Sequence, residues 1–143
     1  MNVLSLLTPK KEVQFLYDDF TVRQALEKME FHKYGTIPVL ERKSGKYLYS
    51  LTEGDFLWYL KERQLPFSEL NKRPLAELKP SRLIDAVTIS ADINDLYLYA
   101  EKQNFVPVLD DLGVFIGIVT RKSIMRSWLL THEEIKVKAI EKL

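Results

Sequence analysis

The pattern of apolar and polar positions along this chain occurs twice. Residues 35–40 read Gly-Thr-Ile-Pro-Val-Leu, and residues 104–109 read Asn-Phe-Val-Pro-Val-Leu. In each copy a short polar turn, a second apolar run and a threonine follow, and these threonines, Thr52 and Thr120, stand 68 positions apart. A repeat of this length predicts two copies of one supersecondary unit that close a shared core. We therefore expect a ligand in the cleft between the copies.

The first copy predicts a strand and a helix ahead of its repeated segment. Residues 12–17 alternate and then become wholly apolar, which predicts a short strand. Apolar residues then recur at positions i, i+3, i+4 and i+7, which is one face of a helix. These positions are Val22, Ala25, Leu26 and Met29. Thr21 offers an N-cap for this helix, and Gly35 offers its end.

The repeated segment predicts a β-hairpin and a second helix. Apolar residues 37–40 and 47–51 flank a polar turn in which Gly45 is free to adopt a positive φ. Pro38 cannot donate to a β-ladder, so we expect it at the start of its strand or at a sheet edge. A helix from residue 53 to about residue 63 should follow. We expect its inner face to carry Phe56, Leu57 and Leu60.

The predicted organisation divides the chain into four parts. Residues 1–64 form the first unit with an N-terminal segment, and residues 65–86 form a connector punctuated by three prolines. Four apolar residues of the connector should pack locally: Leu75, Leu78, Leu83 and Ile84. Residues 87–130 form the second unit. Residues 131–143 form a tail that opens on a capping-box pattern and should continue as an amphipathic helix through Ile135, Ala139, Ile140 and Leu143.

Composition excludes several classes of protein. The chain has 143 residues and no cysteine, which suits one domain and rules out disulfides, thiolate metal sites and a cysteine nucleophile. Its start lacks a basic region before the apolar residues, and no apolar run approaches the roughly 20 residues of a membrane span. We therefore expect a cytoplasmic protein. A net charge of +1 gives no electrostatic reason to expect nucleic-acid or membrane binding.

The two copies together resemble a known family. Their marks are the apolar-Pro-Val strand start, the turn glycine, and an apolar run ending in Thr, as in Leu51-Thr52-Glu53-Gly54-Asp55. This unit resembles the CBS domain, and the pair over roughly residues 8–128 resembles a tandem CBS (Bateman) module. The resemblance implies an α/β (α+β) fold of two βαββα repeats related by a pseudo-two-fold axis. It also implies two clefts that often bind adenine nucleotides such as AMP or ATP, and a homodimer.

By the same resemblance, the first cleft combines the threonine motif of one copy with a loop of the other. Thr52 and Asp55 would hold the ribose hydroxyls, and the loop at residues 103–105, ending in Phe105, would face the base. Tyr49 stands where many members of the family have glycine, and it would narrow this cleft.

The second cleft would take a ligand rich in phosphate. Ser123 replaces the ribose aspartate, while two cations follow the threonine, and guanidinium and ammonium groups suit phosphodiester oxygens. Its motif residues are Thr120, Arg121, Lys122 and Ser123. Its loop residues are Tyr34, Gly35 and Thr36, with the first strand around Glu12 and Gln14 beside them.

This second cleft is similar to that of small stand-alone bacterial CBS proteins that bind cyclic di-AMP. Those proteins carry a Thr-Arg-Arg run and a Tyr-Thr-Ala-Ile-Pro loop, where this chain has Thr-Arg-Lys at residues 120–122 and Tyr-Gly-Thr-Ile-Pro at residues 34–38. Glu12 stands where they tend to carry a basic residue, although Lys10 and Lys11 lie beside it. The sequence leaves AMP, ATP and cyclic di-AMP open as ligands.

Simpler interpretations stand beside these hypotheses. Thr52 and Asp55 can serve only as a helix cap, the cations at 121 and 122 can be a solvated helix face, and Tyr34 can pack on its own helix. Aspartates 18, 19, 110 and 111 fit turns better than a metal site, and the two histidines lack ligand spacing. We therefore expect no metal and no cofactor other than a regulatory nucleotide.

The sequence favours a regulatory protein over an enzyme. It contains no P-loop, no Gly-x-Ser-x-Gly and no zinc-protease motif. The leading hypothesis is a nucleotide-sensing module that signals to a separate regulated protein. The alternative is an interaction scaffold, built on a homodimer, whose clefts no longer bind a ligand. The last helix of each unit, beginning at residues 53 and 121, would supply the dimer surface, which includes Trp58 and Trp128.

Overall fold

Two βαββα repeats form the protein, as the sequence predicts. The computed structural model describes residues 2–132 and 138–142. A short N-terminal segment contains α1 (Val3–Leu6) and β1 (Thr8–Pro9). The elements of the first repeat are β2 (Leu16–Tyr17), α2 (Val22–His32), β3 (Thr36–Leu40), β4 (Tyr47–Thr52) and α3 (Glu53–Arg63). Those of the second are β5 (Val87–Thr88), α4 (Ile93–Lys102), β6 (Phe105–Leu109), β7 (Phe115–Thr120) and α5 (Arg121–Thr131).

Each repeat contributes one mixed sheet. The first sheet has the order β2-β3-β4 and the second has the order β1-β7-β6-β5. In both, the first strand of the repeat pairs in parallel with the hairpin that follows the helix. Val39 pairs with Leu16 and Val108 pairs with Val87, so these ladders fix which positions of the two repeats correspond.

The two hairpin turns meet at the pseudo-two-fold axis. The backbone N–H of Tyr47 donates to the carbonyl of Gly113 at 3.1 Å, and that of Phe115 donates to the carbonyl of Gly45 at 3.0 Å. Both glycines have positive φ, 75° and 86°, which a side chain would disfavour. A buried cluster of Val13, Leu40 and Phe115 then joins the two repeats.

The N-terminal segment belongs to the second sheet rather than to the first repeat. Thr8 and Pro9 pair antiparallel with Ile118 and Gly117 of β7, and Val3 is fully buried in the core of the second repeat. The strand predicted over residues 12–17 is therefore mostly wrong. A 3₁₀ turn occupies Lys10–Glu12, and only Leu16–Tyr17 pairs as a strand.

Three local predictions about the first repeat also need correction. The residue with left-handed backbone conformation after α2 is Lys33, at φ 59°, instead of Gly35. Leu57 is 57% exposed, while Tyr59 takes the buried position beside Phe56. Pro38 is the third residue of β3 and pairs with Ser50 of β4, so it lies inside the strand and not at its start. On the other side, β2 pairs only with Val39 and Leu40, so no ladder bond to β2 is needed at Pro38.

The connector is held by packing and by polar contacts. Leu70, Leu75 and Leu78 are buried in the core of the first repeat, whereas Leu83 is 86% exposed, contrary to the prediction that it packs locally. Part of the predicted tail helix, including Ile135 and Leu143, falls outside the described residues; residues 138–141 are helical.

Candidate functional site

The threonine motif of the first repeat forms a complete capping box. Thr52 is the N-cap of α3, and its hydroxyl accepts a hydrogen bond from the backbone N–H of Asp55 at 3.3 Å. The Asp55 carboxylate in turn accepts from the backbone N–H of Thr52 at 2.8 Å. The two residues thus satisfy the orphan N–H groups of the helix start, as the simpler interpretation of this motif requires.

Asp55 also binds the connector. Its other carboxylate oxygen accepts from the backbone N–H of Ser81 at 2.9 Å and from the Ser81 hydroxyl at 2.7 Å. Asp55 is only 6% exposed. Burial disfavours its ionised form, but the hydrogen bonds from Ser81 and Thr52 outweigh burial and hold the pKa of Asp55 below its usual value. Both oxygens predicted to contact a ribose are therefore engaged within the chain.

A short backbone segment leads from Asp55 to the loop of the second repeat. The side-chain amide of Gln103 accepts from the backbone N–H of Asp85 at 2.9 Å and donates to the Asp85 carbonyl at 3.0 Å. Residues 81–85 thus connect Asp55 with Gln103, a step of at most about 14 Å. The predicted first cleft would then comprise a motif from one repeat, this segment and a loop from the other repeat.

Tyr49 lies in β4, the last strand of the first repeat. It lies opposite Val39 and packs, half-buried, against the first core. Burial raises the pKa of its hydroxyl. Its counterpart in β7 is Gly117, and the two strands differ in whether another strand pairs with their outer edge. A Cβ on Gly117 would stand 2.2 Å from the Thr8 carbonyl oxygen, because β1 lies directly against it. No strand of the described structure pairs with the corresponding edge of β4.

The threonine motif of the second repeat uses hydroxyl groups alone. Thr120 is the N-cap of α5, and its hydroxyl accepts from the backbone N–H of Ser123 at 3.2 Å and donates to the Ser123 hydroxyl at 3.0 Å. The first turn of α5 carries no acidic residue, whereas that of α3 carries Glu53 and Asp55. The start of α5 therefore favours an anion, and the start of α3 opposes one.

Arg121 is partly engaged and Lys122 is exposed. The Nε of Arg121 donates to the carbonyls of Ala100 and Gln103, at 2.7 and 3.1 Å, and so binds the end of α4. In the described part of the chain, no hydrogen bond or ion pair involves the terminal guanidinium nitrogens of Arg121 or the ammonium of Lys122. These groups remain available for phosphate oxygens.

The predicted loop residues lie beside the threonine motif of their own repeat. Gly35 accepts from the backbone N–H of Glu53 at 3.0 Å, and Thr36 pairs with Thr52. In the second repeat, Asn104 accepts from Arg121 at 2.8 Å, and the buried Phe105 pairs with Thr120. Tyr34 stacks on His32, with ring centroids 5.8 Å apart, and packs against the first core, as the simpler interpretation holds.

Two cavities lie in the helix layers rather than between the repeats. A cavity of about 740 Å³ separates α2, α3 and the 3₁₀ turn at Phe67–Lys72, and Tyr34 and Glu53 line part of it. An apolar cavity of about 240 Å³ lies between α4 and α5, beside Trp128. Each cavity is lined by one repeat, or by one repeat and the connector, so neither joins the two threonine motifs.

The described residues bear on two further expectations. Within residues 2–132 and 138–142, no group of three or more His, Asp or Glu side chains could hold a metal ion. The aspartates at 18, 19 and 110 bind turn backbone or Arg42 instead. No helix in this part of the chain is long and apolar enough to cross a membrane.

A family model for the CBS domain matches residues 4–62 and 78–129. The chain belongs to the CBS domain family. Its two matched segments correspond to the two repeats, and the resemblance seen in the sequence is confirmed. A comparison with curated proteins finds no match.

Solved CBS structures share the fold over nearly the whole chain. CbpB in complex with cyclic di-AMP has a TM-score of 0.81 at 19% identity, covering 100% of this chain and 91% of CbpB. CbpB from Listeria monocytogenes, also with cyclic di-AMP, has a TM-score of 0.77 at 17% identity, covering 87% and 92%. CBSX2 in complex with AMP has a TM-score of 0.68 at 25% identity, covering 91% and 97%. This CBS pair is therefore similar in fold to proteins crystallised with adenine nucleotides.

Sequence reasoning missed Ser81 and Asp85. The ladder register indicates the segment that contains them, although not their contacts, because Leu16 and Val87 occupy equivalent ladder positions, 71 residues apart. By that offset Pro9 corresponds to Pro80, Ser81 to Lys10, and Asp85 to Gln14. The segments before the first strands of the two repeats thus occupy equivalent positions.

Proposed function

We propose that this CBS pair is a regulatory module that binds an adenine nucleotide between its repeats, with the phosphates at the second cleft. The start of α5 carries this proposal. It presents two cations and no acid in its first turn, next to the hydroxyls of Thr120 and Ser123. Phosphate oxygens suit such a helix start, because N–H groups, dipole and side chains all favour an anion.

The ligand class is supported by the structural neighbours. CbpB was crystallised with cyclic di-AMP and CBSX2 with AMP. The adenine nucleotides AMP, ATP and cyclic di-AMP are accordingly the candidates. Lys122 and the terminal nitrogens of Arg121 would bind phosphate, and Thr120 and Ser123 would bind sugar or phosphate oxygens. By analogy with the family, the loop at residues 34–36 would approach the same ligand from the other repeat, although it pairs with its own threonine motif.

The signal would pass to a separate regulated protein, and the protein would act as a cytoplasmic, non-enzymatic homodimer in bacteria. Equivalent positions of the two last helices support the dimer. Leu57 of α3 and Met125 of α5 are both 57% exposed, and Trp58 is 52% exposed. Burial of such apolar side chains favours association. Light scattering that shows a monomer, unchanged by Leu57→Glu, would contradict this part.

The ligand proposal is tested by thermal unfolding with AMP, ATP and cyclic di-AMP. A nucleotide at about 100 times its dissociation constant should add about 2.7 kcal/mol of stability. Lys122→Glu should weaken binding, since it places an anion beside the phosphates, and it disrupts no contact of the described structure. Lys43→Glu, in the exposed first hairpin, is the matched control. If none of the three nucleotides shifts the transition, nucleotide sensing fails.

A second candidate function is an interaction scaffold without a ligand. The closed contacts of Asp55 favour it, because both carboxylate oxygens are already satisfied by the chain. A scaffold predicts that Thr52→Ala and Arg121→Ala leave binding of a partner protein unchanged in pull-down assays. A nucleotide sensor predicts that Arg121→Ala abolishes the nucleotide dependence of that binding.

A further inference from the structure

The side chain of Gln103, in the loop of the second repeat, is buried and extensively hydrogen-bonded. It is 5% exposed, and its amide makes three hydrogen bonds, two with Asp85 and one from its NH₂ to the Phe105 carbonyl at 2.9 Å. Lys102 adds an ion pair to the Asp85 side chain at 2.7 Å. The segment ahead of β5 is thus fastened to the end of α4.

The two hydrogen bonds between Gln103 and Asp85 match the pattern that an adenine base could form with the same backbone. The amide oxygen of Gln103 accepts from a backbone N–H, and the adjacent NH₂ donates to the carbonyl of the same residue. Adenine presents the same neighbouring pair on its Watson–Crick edge, with N1 as acceptor and the N6 amino group as donor. The Gln103 amide therefore occupies the two backbone groups of Asp85 that could otherwise bind the base.

At the other end of the segment, Ser81 also makes a contact that a ligand group could make. Its hydroxyl donates to the Asp55 carboxylate at 2.7 Å, which is the bond expected of a ribose hydroxyl. Between Asp55 and Asp85, the chain's own groups thus make one contact suited to a sugar and two suited to a base.

The second cleft lacks these contacts. Gln103 stands four residues before Pro107, and the residue four before Pro38 is Tyr34, whose ring turns toward His32 and the helices. Gln14 corresponds to Asp85, and in the described part of the chain no side chain hydrogen-bonds its backbone. The pseudo-symmetric copies therefore differ in whether this base position is filled.

We propose that Gln103 fills the adenine position of the first cleft, so that the chain inhibits its own binding there and leaves only the second cleft for nucleotide. This inference rests on the proposed function. It makes Gln103 a residue that determines how many nucleotides the chain binds. Removing the amide should expose the backbone of Asp85 to the base edge of AMP.

Calorimetric titration with AMP tests this inference. Gln103→Ala should bind one more AMP per chain than the wild type, whereas Asn94→Ala, at an exposed position of α4 away from the loop, should not. The gained site should disappear with N6,N6-dimethyl-AMP, which cannot donate to the Asp85 carbonyl. Because Gln103→Ala leaves buried polar groups unpaired and can unfold the protein, Gln103→Asn provides a second variant that withdraws the amide by one methylene.

Each outcome is decisive. An additional AMP site in either folded variant supports the inference, even if the wild type binds no nucleotide and the proposed function fails. An unchanged number of sites in the folded variants overturns it, as does a wild type that already binds two AMP molecules per chain. A gained site that accepts the dimethyl analogue equally overturns the role of the base edge.

Discussion

The carboxylate of Asp55 and Ser81 are joined by two hydrogen bonds, 2.9 Å from the backbone N–H and 2.7 Å from the hydroxyl. This pair connects the start of α3 to the connector ahead of the second repeat. It uses the oxygen that a ribose would otherwise approach. The same carboxylate therefore holds the connector in place and is already hydrogen-bonded at the position predicted for a ribose.

Ser81→Ala tests the energetic part of this relationship. The change removes the hydroxyl bond to a buried carboxylate and keeps the backbone bond. Hydrogen bonds to charged groups contribute about 1.5–3 kcal/mol, so we expect a loss of that order in the free energy of unfolding. Denaturant unfolding measures it. Ser68→Ala is the control, because the Ser68 hydroxyl makes no hydrogen bond in the described structure. An equal loss of stability in both variants would show that the Ser81 hydroxyl contributes nothing specific.

Asp55→Asn tests the pH dependence of the same contact. In the folded protein the pKa of Asp55 lies below its ordinary value of 3.8. The stability that the carboxylate contributes is therefore present above about pH 4 and is lost as pH falls through the folded pKa. We expect the stability difference between wild type and variant to be largest near pH 6 and to shrink below about pH 4. A difference that stays constant down to about pH 2 would show that the carboxylate is not specially stabilised.

How far the sequence predicts this site depends on the type of signal. The repeats, the helix caps at Thr52 and Thr120, and the hairpin glycines follow from local chemistry, so their positions are predictable. Contacts between distant segments are not. Nothing near Ser81 indicates that Asp55 binds it, and Thr8–Pro9 carries no strand pattern because β7 imposes its pairing. Tertiary contacts of this kind override local propensity.

Tyr59 and Glu77 provide a second attachment of the connector. The Tyr59 hydroxyl donates to the Glu77 carboxylate at 2.5 Å, and burial with this bond raises the pKa of Tyr59 to about 12. Because the folded pKa is raised, this stability is present below about pH 10 and is lost as pH rises through about 12. Tyr59→Phe should lower the free energy of unfolding by about 1–2 kcal/mol at neutral pH. Above about pH 10 the difference between the variant and the wild type should become smaller. Denaturant unfolding across pH measures both.

Tyr99→Phe is the matched control for this prediction. The hydroxyl of Tyr99 has no hydrogen bond in the described residues, so its removal should be nearly neutral. If both variants lose equal stability, the bond to Glu77 contributes nothing specific.

Gly117→Ala tests the packing of the N-terminal segment on β7. The new Cβ would stand 2.2 Å from the Thr8 carbonyl oxygen and 2.9 Å from a Leu7 methyl, so β1 must move away. We expect faster hydrogen exchange over residues 3–9 and lower stability of the second repeat. Gly113→Ala is the comparison, since its Cβ meets nothing within 4 Å and only its φ of 86° is unfavourable. Unchanged exchange over residues 3–9 in Gly117→Ala would contradict the observed pairing.

The proposed function requires that the two clefts differ and that the second binds the nucleotide. Backbone amide NMR of the wild-type protein, titrated with AMP, ATP and cyclic di-AMP, distinguishes the two clefts residue by residue. At least one of these ligands should shift the amides of residues 120–123, 14 and 34–36, while those of residues 81–85 and Asn104 stay in place. Shifts centred on residues 81–85, or no shifts with any of the three, would contradict it.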